Sequence, residues 1–133
     1  RANAANDVST ARLPIVMDSG CTIAMSGDLS LFERRSMIPY KNKISLADAD
    51  CSMESTHAGK ILLNGQAVDA LYVPSMNQTL LSMGWFLKHG FKIANDADGN
   101  LQLLLPNLVQ YLSFCLSSNN LFYLSTDLHT HSS

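Results

Sequence analysis

A chain of 133 residues, 47% apolar and 15% charged with a formal net charge of −2, has room for one cored domain and no second. No basic excess points to nucleic acid, no acidic block to a solvating tail, and no apolar run reaches the roughly 20 residues that span a membrane. The three cysteines, Cys21, Cys51 and Cys115, are too few and odd in number for a disulfide framework, so a reducing, cytoplasmic compartment is expected.

In chain order, "RANAANDVSTAR" is small, polar and aperiodic, and residues 1–12 are expected to form a flexible arm. From Leu13 onward the apolar runs are short and bounded by turns, which is strand patterning. "LPIVM" is the first, "TIAM" the second, with Asp18-Ser19-Gly20 turning the chain between them. "NKISLADADCSMESTHAGKILLNGQAVDALYVP" predicts strand, turn, strand, turn, strand, with breaks at Ala47 to Cys51 and at Asn64-Gly65, a hairpin signal. "LLSMGWFLKHG" shifts to helical spacing and places Gly90 where a helix ends. "FKIANDADGNLQLLL" predicts a hairpin turning at Asp98-Gly99, and "LVQYLSFCLSSNNLFYLS" two more strands around Asn119-Asn120. "TDLHTHSS" is expected to be a frayed end. The sum is a mostly β domain with one short helix.

A carboxylate between two strand-like runs is costly unless the turn supplies partners, so Asp18 is the residue that asks for an explanation. Asp and Ser bond locally to backbone and Gly relaxes the turn, and an ordinary tight turn would use the same three residues. The flanks argue for more: one strand delivers the carboxylate and the next carries the chain away. A second constellation, Leu80 and Leu81 followed by the small Ser82, then a helix and a strand, strengthens the argument.

With both constellations in place the chain resembles a retropepsin-like aspartic protease, most closely that of copia/Ty1-type LTR retrotransposons. The resemblance rests on "IVMDSGCT", "MSGDLSLF", "ISLAD" and "LYVPSMNQTLLSMGWFLKHGFKI", in order over Ile15 to Leu105, and on "NNLFYLST", similar to the segment leading toward integrase. It implies a closed β-barrel or sandwich acting as a homodimer, with residues 13–105 as the protease domain and 106–133 as an extension. It further implies that Asp18 is the catalytic aspartate, that Ser19 hydrogen-bonds across the dimer, and that Gly20 admits water or substrate to the backbone. Leu80, Leu81 and Ser82 would pack beneath the catalytic loop, and Ala47, Asp48, Ala49, Asp50 and Cys51 would belong to a flap closing over substrate. The chain departs from the family in carrying Ala24 where relatives often have His, Ala49 where the flap often has Gly, and Ser82 where retroviral enzymes have Gly.

The expected activity is endoproteolytic maturation of a retrotransposon polyprotein inside a virus-like particle, with no cofactor and no metal. The chemistry asks for two carboxylates sharing a proton, one activating water and the other protonating the carbonyl oxygen. One Asp-Ser-Gly per chain then requires a second copy. Expected partners are therefore the chain itself and a polyprotein peptide, not nucleic acid or membrane. The rival reading is a catalytically weak or domesticated retroelement domain serving as a binding or assembly module. Cys21 as a nucleophile lacks a matching histidine signature, and His129 with His131 lacks cysteines at zinc spacing. His57 reads as an exposed strand residue, Trp85 and Phe86 as core, the six methionines as gap-filling core, and Glu33 to Arg35 as a solvated loop.

Overall fold

In the computed structural model, residues 13–45 and 52–125 are described. Ten strands and one α-helix follow in order: β1 (Ile15–Asp18), β2 (Ala24–Ser26), β3 (Ile38–Ile44), β4 (Met53–Leu63), β5 (Gln66–Tyr72), β6 (Thr79–Ser82), α1 (Met83–Lys88), β7 (Lys92–Asn95), β8 (Leu101–Leu104), β9 (Gln110–Leu116) and β10 (Phe122–Leu124). Short 3₁₀ turns lie at Leu29–Leu31 and Arg34–Ser36. The expected mostly β domain with one short helix is what the chain forms. The expected hairpins are present too, around Asn64-Gly65, between β7 and β8, and between β9 and β10.

The strands form one sheet in the order β3-β4-β5-β2-β6-β1-β10-β9-β8-β7. Among the described residues no ladder joins β3 to β7, so of the closed barrel or sandwich expected from the resemblance only the closure is corrected: the sheet is open, with two edges. It folds over on itself around a large apolar cluster fed by almost every strand. Most pairings are antiparallel hairpins, but β1 with β6 and β2 with β5 are parallel. Parallel strands need crossovers, and β1 reaches β6 only after the whole β2–β5 stretch has been laid down.

The continuous apolar run "LPIVM" follows from where β1 sits. Ile15 and Met17 enter the main cluster while Val16 enters a second cluster on the opposite face. Leu81 and Leu80 divide between the same two clusters. A strand covered on both faces has no use for alternation. β3 is the opposite case: six of its seven residues are exposed, with Pro39 within it. A proline fits because β3 is an edge strand, where a missing N–H can face outward. The sequence pattern predicts this strand only from about Asn42; the structure begins it at Ile38, with a register irregularity between Pro39 and Asn42.

Turn chemistry fixes the rest. Asn64 and Gly65 both have positive φ, 44° and 86°, the pair a two-residue hairpin loop demands. Helix α1 ends in a Schellman arrangement: Gly90 at φ 89° gives its N–H to the Leu87 carbonyl, and Phe91 N donates to the Phe86 carbonyl at 3.0 Å. Phe86 and Phe91 then meet edge to face at 5.1 Å. Gly27 is required by close approach, since a Cβ there would sit 2.0 Å from the Met76 carbonyl oxygen. All six methionines pack in or against the two clusters, as expected for gap-filling residues. Glu33, Arg34 and Arg35 are exposed, and His57 is half-buried beside Tyr72.

Candidate active site

β1 and β6 run in parallel and end together, with Asp18 opposite Ser82 in register. Beyond Asp18 the chain turns at once. Gly20 N donates to Asp18 Oδ1 at 2.7 Å, an Asx-type closure that fixes the carboxylate relative to its own loop. A Cβ at Gly20 would lie 3.3 Å from that same oxygen, so a side chain there would crowd the carboxylate. Asp18 is half-buried, while Ser19 and Gly20 are exposed at the tip. The carboxylate is thus anchored from below and open from above.

The far end of the loop is anchored by Ser82. Its hydroxyl donates to the Cys21 carbonyl at 2.8 Å and accepts from Trp85 N at 3.1 Å, so one buried oxygen ties the Asp18 loop to the first turn of α1. Serine suits a helix N-cap because its oxygen satisfies an amide that the helix leaves unpaired. Next along the sheet, Ser26 and Thr79 form a buried hydroxyl pair at 2.7 Å between β2 and β6. Leu80 and Leu81 are both buried and pack to either side of the strand that carries Ser82. The structure therefore brings Asp18, Ser19, Gly20 and Ser82 together, with Leu80 and Leu81 behind them.

Ala47, Asp48, Ala49, Asp50 and Cys51 lie outside the described residues, as do the arm at 1–12 and the histidines of the tail. Cys21 follows the loop and is half-buried, and its Sγ lies 3.8 Å from the Asp18 carbonyl. Burial, with the nearby Asp18 charge adding to it, pushes its thiol up to about 11. A thiol so raised stays protonated near neutrality, the reverse of what a nucleophile needs. Among the described residues, no three of His, Cys, Asp and Glu gather as a metal-ligand set.

Sequence reasoning missed a supporting network. Trp85 reads as core, and it does pack against the main cluster, but its indole Nε1 also donates to Asp69 Oδ2 at 3.0 Å. Asp69 pairs with Lys60 across β4 and β5, and His89 stacks on the indole at 3.8 Å. A tryptophan on a short helix seldom buries its N–H without an acceptor, which was the available signal. The network fastens the β4–β5 hairpin to the helix that Ser82 caps.

A search of curated proteins finds no match to this chain. A family model described as the Pol polyprotein β-barrel domain matches residues 15–91, more than half of the chain. The matched segment begins with the strand that carries Asp18 and ends at Phe91, just past the helix capped by Ser82. The chain thus belongs to the Pol polyprotein β-barrel domain family.

Proposed function

We propose that this domain is a retropepsin-like aspartic endopeptidase of the copia/Ty1 type, which matures the Pol-type polyprotein of a retrotransposon. The observation that carries the reading is the anchored Asp18. A carboxylate stands at the end of a strand whose other three residues are buried, closed by Gly20 N at 2.7 Å, with its loop tied to a helix by Ser82. An ordinary surface turn has no need of that much support.

Amide hydrolysis in water needs a base for the attacking water and an acid for the carbonyl oxygen. Two carboxylates held close disfavour double ionisation and share one proton, which equips the pair for both tasks. Asp18 supplies one, and a second copy of the chain related by a two-fold axis supplies the other. Ser19, exposed at the loop tip, would meet its counterpart there. An extended peptide would lie between the copies and pair its backbone with them as an added strand.

The test is incubation of the purified chain with a peptide spanning its own flanking polyprotein sequence, with and without pepstatin. Cleavage that pepstatin blocks and Asp18→Asn abolishes is the expected result. A folded dimer that binds the peptide without cutting it would favour the binding or assembly module instead.

A further inference from the structure

The segment matched by the family model stops at Phe91, yet the strand carrying Asp18 has a neighbour from far beyond it. β1 lies between β6 and β10, with Phe122 opposite Met17 and Tyr123 opposite Val16. β10 is joined in turn to β9, whose Tyr111, Leu112 and Phe114 are buried in the main cluster. Tyr111 also reaches across to donate to the Leu63 carbonyl. The late hairpin is therefore built into the same core as the matched segment.

Ser117 N donates to the Leu121 carbonyl at 2.9 Å and Ser125 N to the Ser113 carbonyl at 2.8 Å, so residues 121 and 125 face β9. Backbone groups alternate sides along a strand, so residue 123 also faces β9, while Phe122 and Leu124 face β1. On β1 the same alternation turns Met17 toward β10 and Asp18 toward β6. The peptide groups of the residue just before the carboxylate are thus satisfied by Phe122. Without β10, the buried N–H and C=O of Met17 would lack a partner, and β1 would become a sheet edge at the one strand that has to hold still.

We infer that the β9–β10 hairpin is a positioning element for Asp18, with Phe122 holding Met17 through the backbone, so that the functional unit runs through Ser125. The inference rests on the aspartic-peptidase reading only for its consequence on rate; the pairing itself is independent of it. A polyprotein cut that preserved the site would fall beyond Ser125.

The experiment compares the full chain with Phe122→Pro, which deletes the N–H facing β1, and Phe122→Leu, which keeps it. Amide hydrogen exchange is read at Met17 and through Ser19-Gly20, with Leu103 as a distant core reference. In the unsubstituted chain the Met17 amide should be protected about as well as Leu103; a freely exchanging Met17 amide overturns the inference without any variant. Phe122→Pro should speed exchange at Met17 and the loop by about ten-fold or more while Phe122→Leu stays near the unsubstituted rate. Where peptidase activity is present, Phe122→Pro should lower kcat by about ten-fold with little change in KM, and Phe122→Leu should restore it. Folded Phe122→Pro with unchanged exchange and unchanged kcat overturns the positioning role. Absence of peptidase activity from the unsubstituted chain sinks the enzymatic reading but leaves the exchange result to decide this one.

Discussion

Ser82 Oγ donates to the Cys21 carbonyl at 2.8 Å, joining residues 61 apart in the chain, and the same oxygen caps α1 by accepting from Trp85 N. Replacing it with alanine removes both bonds at a buried position. An unpaired, half-buried carbonyl and a lost cap together should cost about 1–3 kcal/mol. The check is the urea midpoint of Ser82→Ala. An unchanged midpoint would mean the hydroxyl contributes nothing net to the loop's anchorage.

Asp18→Asn should leave the fold intact and stop proteolysis. The amide oxygen of asparagine can still accept from Gly20 N, which now donates to Asp18 Oδ1 at 2.7 Å, so the turn keeps its closure. The free energy of unfolding should change by less than about 1 kcal/mol. What disappears is the group that exchanges a proton. Retained cleavage by a folded Asp18→Asn protein would rule out the aspartic mechanism.

How much of this was legible beforehand depends on how local the signal is. Asn64-Gly65, Asp98-Gly99 and Gly90 each needed a positive φ, or a partner supplying one, and their turns were readable from the residues alone. Asp18-Ser19-Gly20 was readable for a different local reason, the aspartate side chain closing its own turn on Gly20 N. The neighbours of β1 carry no such local signal: the resemblance alone placed Leu80, Leu81 and Ser82 beneath the loop, where the parallel pairing with β6 puts them, and nothing pointed to Phe122 and the antiparallel pairing with β10. Apolar pattern shows that a strand is buried on both faces; it does not name what lies beside it. Pro39 concealed the start of β3, since a proline argues against a strand until the strand is known to be an edge. The open sheet had no sequence signal of its own.

Cys21 should behave as a packed residue. With its thiol pushed up to about 11, the thiolate fraction at pH 7 is on the order of 10⁻⁴, and alkylation should be slow. Cys115 is exposed and should react well before Cys21 under native conditions. Peptide mapping after brief iodoacetamide treatment checks the order. Cys21→Ala should keep most activity, and complete inactivation of that folded variant would reopen the cysteine mechanism.

Asp69 should contribute a small acid-sensitive increment. Its carboxyl is held below the usual value first by the hydrogen bond from Lys60, against an opposing desolvation effect, with Trp85 adding to the lowering. A folded-state value below the unfolded one stabilises the fold above the ordinary carboxylate range, and that stability is lost as pH falls through the lower folded value. The pair is largely solvent-exposed, so Asp69→Asn should cost only about 0.2–1 kcal/mol at pH 7. The difference between the two proteins should shrink below pH 4. A penalty that grows on acidification would contradict the assignment.

Assembly gives the sharpest prediction, because it follows from counting carboxylates. Each chain carries one Asp-Ser-Gly, at Asp18, so under the proposed shared-proton mechanism a monomer would have either the acid or the base and not both. Specific activity should fall as the protein is diluted through the dissociation constant of the proposed dimer, and concentrating it again should restore the rate. Asp18→Asn subunits should fold and pair but bring no carboxyl to exchange a proton. Mixed with wild type in nine-fold excess, they should lower activity per wild-type chain on the order of ten-fold by random pairing. An Asp18→Asn chain further altered so that it no longer dimerises should have no such effect, which separates subunit exchange from competition for substrate. Sedimentation on the same samples fixes the population of dimer. Constant activity per chain down to concentrations where only monomer sediments would mean that one copy suffices, and the shared-proton pair would have to be abandoned.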